Sequence, residues 1–146
     1  MNTVLKNNAV TALNERINLA FFFDDGTSFL SDGKGISDLL NMAKEPLSLS
    51  GAYASDRIVG RAAAFLYVRC KPEYLYIRTL SEGGASILKK HGITFEYETL
   101  TKNIMNRQGT GICPMDDAVK DISDTDTDKA YEAIYIRAKE LRRKMM

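Results

Sequence analysis

The sequence predicts an α/β fold, a layered sandwich around a mixed, partly parallel sheet flanked by helices. Three observations carry that expectation. Extended segments alternate with segments of helical periodicity over most of the chain. An Asp-Gly pair joins two extended runs near the start into a hairpin. The stretch "SDRIVGRAAAFLYVRC" is apolar on almost every side, which places a helix at the centre of the molecule. At 146 residues the chain suits one domain, 1–146. Its expected parts are an N-terminal extension (1–17), a core (18–122) and a C-terminal helix (124–146).

The first dozen residues, with Val4, Leu5, Val10 and Leu13 apolar, predict a short helix. "INLAFFF", "DDG" and "TSFLSDGKG" give the hairpin. Ile36, Leu39, Leu40 and Ala43 follow the spacing of one helical face, and Pro46 stops that helix. "LSLSGAYA" predicts a third strand, after which Ser55 or Asp56 can cap the central helix. Gly60, Ala62, Ala63 and Ala64 would let that helix lie close to a sheet. "YLYIRTL" predicts a strand, and "SEGGASILKKHG" a helix capped by Ser81 with Gly92 just past its end. "ITFEYETL" alternates, with Ile93, Phe95, Tyr97 and Thr99 on one face, so it reads as a half-exposed strand. It could pair across a homodimer or lie under the C-terminal helix. Met115, Val119 and Ile122 mark another helix. From about Asp126, Ala130, Ile134, Ala138, Leu141 and Met145 form one stripe, with aspartates at the start and Arg142, Arg143 and Lys144 at the end, as the helix dipole favours.

The net charge of +1 gives no global basic field, so nucleic acid is not an expected partner. The apolar run Leu19–Phe23 is too short to span a bilayer and lacks a signal-peptide layout, so no membrane association and a cytoplasmic location are expected. Cys70 and Cys113 form neither a zinc spacing nor a disulfide framework, which suits free thiols in a reducing compartment.

Ligands of such sheets favour the edge where strands end and helices begin. Three helix starts are expected on such junctions: Ser55/Asp56, Ser81/Glu82 and Cys113/Pro114. The third lies in "NRQGTGICPMDDAV", residues 106–119. Cys113 takes the apparent N-cap position with Pro114 at the first helical residue, where amides and the dipole would stabilise a thiolate. It reads as a reactive thiol or as a small residue packed under the loop. Gly109, Thr110 and Gly111 could turn amides inward as an anion cradle, or simply make a turn. Asn106 and Arg107 are candidate ligand contacts, Arg107 as a forked donor or as a partner of Asp116 or Asp117. Asp56 and Asp116 could orient an amine or act as bases, or stabilise a first helical turn. Arg61 reaches either the pocket or a nearby acid, and Ser81 is a cap or a contact.

Two stretches, "GAYASDRIVGRAAA" (51–64) and "NRQGTGICPMD" (106–116), resemble the family named domain of unknown function 1893, and "LSEGGASILKKHGI" (80–93) fits between them. The resemblance covers roughly residues 18 to 122 and implies a fold similar to cytidine deaminases, a three-layer sandwich to which the C-terminal helix is added. The family usually carries Glu where this chain has Asp116. Zinc-dependent deaminases present a His or Cys ligand with a Glu two residues on, then a Cys-x-x-Cys pair. Overlaid on this chain, Asp56 takes the first ligand position, Ile58 the Glu position, and Cys113 and Asp116 the pair. The only histidine, His91, sits at a far helix end. The resemblance therefore implies the scaffold without catalytic zinc, and no cofactor. The function expected is an enzyme on a small nucleotide-like or amine-bearing molecule, with Cys113 reactive and Asp56 orienting or accepting a proton. A non-catalytic module binding a nucleotide or phosphate compound is the alternative. A metal held by Cys113, Asp56 and Asp116 ranks third, since zinc prefers Cys and His.

Overall fold

The computed structural model describes residues 1–144. Five strands form one sheet in the order β2-β1-β3-β4-β5. The strands are β1 (Leu19–Phe22), β2 (Ser28–Ser31), β3 (Tyr53–Val59), β4 (Tyr74–Ser81) and β5 (Phe95–Thr101). β1 pairs antiparallel with β2 and β3, while β3, β4 and β5 run parallel, so the sheet is mixed. The helices are α1 (Thr3–Ala12), α2 (Ser37–Met42), α3 (Arg61–Cys70), α4 (Glu82–Lys90), α5 (Pro114–Ala118) and α6 (Thr127–Lys144). Met145, expected on the stripe of the last helix, lies outside the described residues.

The hairpin closes as its sequence requires. Phe23 N–H donates to the Thr27 carbonyl, and Gly26 takes φ +90°, a conformation cheap only for glycine. Strand alternation then separates the two faces of the sheet. Phe21, Ala54, Leu75 and Ile77 point into the main core with α3, whereas Tyr53 and Tyr74 meet Ala9 of α1 on the other face. Residues 1–17 therefore include a helix that covers one side of the sheet. On the other side α3 is the centre: Ala62–Val68 and Cys70 are all buried. Large side chains such as Phe65 and Leu66 stabilise by about 1.5–3 kcal/mol each on full burial. Leu39 and Leu40 of α2, and Ala130 and Ile134 of α6, join the same core.

Two expectations are corrected. The third strand does not end before Ser55. It runs from Tyr53 to Val59, so Asp56 lies in a strand, and α3 starts at Gly60 and Arg61. Pairing on both sides decides this: Asp56 sits opposite Leu19 of β1 and Ile77 of β4, and Ile58 and Val59 continue the ladder to Thr79 and Leu80. Backbone bonds to two neighbours outweigh a single capping bond. The second correction concerns β5. Ile93 is buried and Phe95 half-buried, but Tyr97 and Thr99 are exposed, because α6 packs on α3 and α5 instead of on this edge strand.

Candidate functional site

At the end of β3, between α2, α6 and the loop 104–116, lies an open cleft of about 1150 Å³. Asp56, Cys113, Asp116, Asn106 and Arg107 all line it. Asp56 is half-buried, and its Oδ2 accepts a 2.6 Å hydrogen bond from the Tyr67 hydroxyl of α3. Oδ1 accepts from the Ile58 amide at 3.3 Å. Desolvation is the main influence on this carboxyl; it outweighs those bonds and pushes the pKa up to about 7. Tyr67 is fully buried, and desolvation with the adjacent acid pushes its hydroxyl well up. Ile58, next on the same strand face, is 51% exposed and forms part of the cleft wall. Tyr67 has no local signal in the sequence, being one apolar residue of a buried helix. Only the fold aims its hydroxyl at Asp56.

Cys113 is the N-cap residue of α5, with Pro114 at the first helical position, as the sequence predicts. It is half-buried and lines the cleft. However, α5 holds only five residues, so few aligned peptide dipoles stand behind the thiol.

Asp116 is committed elsewhere. It is buried, and its Oδ1 accepts from the Ala62 amide at 3.0 Å, capping α3 from across the fold. Desolvation pushes its pKa up, opposed by the Ala62 and Arg61 amides. A Cβ on Gly60 would stand 1.9 Å from the Asp116 carboxylate, so the absence of a side chain at Gly60 admits that acid. Asp116 thus replaces the local cap expected from Ser55 or Asp56.

The Gly-Thr-Gly loop does not form the expected cradle. Gly109 N–H donates to the Asn106 carbonyl, and Thr110 N–H donates to Asn106 Oδ1. Gly109, at φ +71°, makes a turn, and Gly109 and Thr110 are exposed. Asn106 organises this loop, while Arg107 beside it faces the cleft.

Arg61 and Ser81 line a separate small cavity of about 60 Å³, which shares Asp116 with the cleft. Ser81 Oγ accepts from the Gly84 amide at 3.0 Å, capping α4 as expected. Arg61 donates to Asp124 at 2.7 Å and to the carbonyls of Ile122 and Val119. Asp124 also receives Ser86 at 2.8 Å and Lys90 at 2.9 Å, and the His91 ring meets its carbonyl at 2.8 Å. Desolvation pushes the Asp124 carboxyl up, but the bonds from Lys90, Arg61 and Ser86 outweigh it and hold it well below the usual range. Cys70 packs in the core.

Among the described residues, no three His, Cys, Asp or Glu side chains converge as a metal site. The trio of Cys113, Asp56 and Asp116 is therefore not assembled as ligands. No described helix is long and apolar enough to cross a membrane.

A family model described as "Domain of unknown function (DUF1893)" matches residues 8–136, a wider span than the motifs suggested. A crystal structure of a DUF1893 family protein from Thermotoga maritima matches with TM-score 0.79 at 20% identity, covering 96% of this chain and 92% of the other. At that identity the likeness speaks for the fold alone. No curated protein matches.

Proposed function

The chain belongs to the DUF1893 family, and from that membership and the cleft we propose an enzyme acting on a small nucleotide-like or amine-bearing molecule. The observation that carries this reading is the cleft itself, which collects Asp56 from β3 and Cys113 from the loop before α5. A carboxyl whose pKa is about 7 is populated in both protonation states near neutrality. It suits proton transfer to and from a ligand, a contribution worth on the order of 10²–10⁴ in rate. Tyr67 occupies Oδ2, so Oδ1 is the oxygen turned to other partners. Cys113 supplies the nucleophile.

The test is turnover of a panel of amines and nucleotides by wild type, Cys113→Ala and Asp56→Asn. Loss of at least 100-fold in both variants is expected, on the order of the general acid–base contribution. Unchanged turnover in either variant would remove that residue from the mechanism. The shortness of α5 and the commitment of Asp116 to capping favour a second reading, a binding or sensing module without chemistry. Under it, ligands stabilise the protein thermally and Cys113→Ala binds them as well as wild type.

A further inference from the structure

The cleft is chemically uneven. Asp56 sits at its floor, and no lysine or arginine contributes to the shift of that carboxyl. The basic side chains lie elsewhere on the lining: Lys34 before α2, Lys44 after it, Arg107 on the loop, and Lys139, Arg142 and Lys144 on α6. Among the described residues none of them pairs with a carboxylate. Arg57, also on the lining, is occupied by Asn18 and the Asn14 and Ile17 carbonyls. A chain of net charge +1 has thus gathered uncompensated cations around one cleft.

The α6 wall has an internal order. Tyr135, Lys139 and Arg142 stand at i, i+4 and i+7, so they share one helical face. The Tyr135 ring is 37% exposed, with the Lys139 ammonium 4.8 Å from its centroid. Ile58 and Met105, about half exposed, line the same cleft. Apolar and aromatic surface left open beside unpaired cations fits a ligand with a flat body and an anionic end.

We propose that the cleft binds a phosphorylated small molecule of the nucleotide class, its phosphates held by Lys139 and Arg142 of α6 with Lys44 opposite, and its base lying on Tyr135 and Met105. This rests on the cleft being the ligand site and adds what the ligand must carry. An uncharged or amine-bearing portion faces Asp56, away from the cations.

The experiment uses the full chain and three probes: adenosine triphosphate, adenosine, and inorganic tripolyphosphate. Binding is followed by calorimetry at 50 and 200 mM salt, in wild type, in Lys139→Glu/Arg142→Glu, and in Tyr135→Ala. Adenosine triphosphate is expected to bind more tightly than either fragment and to weaken at least tenfold with salt or in the charge-reversed variant. Tyr135→Ala is expected to weaken adenosine triphosphate and adenosine but not tripolyphosphate. Indifference of adenosine triphosphate binding to charge reversal, or its failure to bind, overturns the proposal. Adenosine bound equally well by wild type and the charge-reversed variant would leave the cleft standing as a ligand site while removing the phosphate. A single-stranded oligonucleotide bound more tightly than the mononucleotide would overturn the small-molecule assignment in favour of a nucleic acid.

Discussion

Asp56 and Asp124 are the same side chain in opposite surroundings. Asp124, joining the loop before α6 to α3 and α4, is met by a guanidinium, an ammonium and a hydroxyl. Asp56, at the cleft floor, is met by a phenol and a backbone amide, with the nearby cations left on the rim. The first arrangement spends its charges on one another, and desolvation is overcome. The second leaves desolvation uncompensated and leaves cations open to solvent or ligand. The difference separates structure from chemistry: a saturated acid holds elements together, while an under-supplied acid beside unpaired bases is poised for an external partner.

The sharpest way to break the contrast is at Asp124. Asp124→Asn should cost roughly 2–3 kcal/mol in urea unfolding, because a partly buried Arg61 loses its charge partner. A loss under about 0.5 kcal/mol would show that the cluster is merely a surface ion pair. The pH dependence follows with it. Asp124 has a lowered pKa, so its contribution is present above pH 3.8 and disappears as the pH falls below that value.

Asp56 has the opposite sign. Its pKa is raised, so its neutral form favours the folded state at low pH, and stability is lost as the pH rises from 3.8 through about 7. Asp56→Asn should therefore be more stable than wild type at pH 8, by roughly 2 kcal/mol, with the gap closing toward pH 4. Thermal unfolding across that range measures it, and parallel curves for the two proteins would contradict the assignment.

Tyr67→Phe refines the picture by removing one lowering bond. The Asp56 titration midpoint, followed by carboxyl NMR, should move above 7, with about 1 kcal/mol lost at neutral pH. A midpoint moving down would mean that the phenol does not serve the ionised acid. The smallest effect is expected on the rim. Lys139→Glu/Arg142→Glu should change stability by no more than about 0.5 kcal/mol in the absence of ligand, since these groups have no partner to lose. A larger loss would make them part of the scaffold.

Much of the fold was legible because its signals are local. The Asp-Gly turn, the apolar body of α3 and the Ser81 cap each declare themselves within a few residues. The end of β3 was not, since Ser55-Asp56 looks like a helix cap until β1 and β4 pair with it. The cap that α3 does receive comes from Asp116, 54 positions away. The Arg61 partner, Asp124, is 63 positions away, which is why Arg61 could be read as a pocket residue. Within the candidate site, Asp56 and Cys113 could be found by residue type. The α2 and α6 walls could not, because Arg142 and Lys144 look like an ordinary solvated helix end until the fold sets them beside β3. Tyr67 was hidden among the core aromatics.

The loop carrying Cys113 is cinched at its base. Met105 bridges to Ile112, Cys113 N–H donates to the Ile104 carbonyl, and Asp116 fastens the following turn to α3. Between those stitches, residues 107–110 project as a separate tip. Insertions or deletions there would lengthen or shorten the reach of Arg107 over the cleft without displacing the sulfur. Such a tip can be regrafted between homologues, varying what the cleft admits while the anchored cysteine keeps its place.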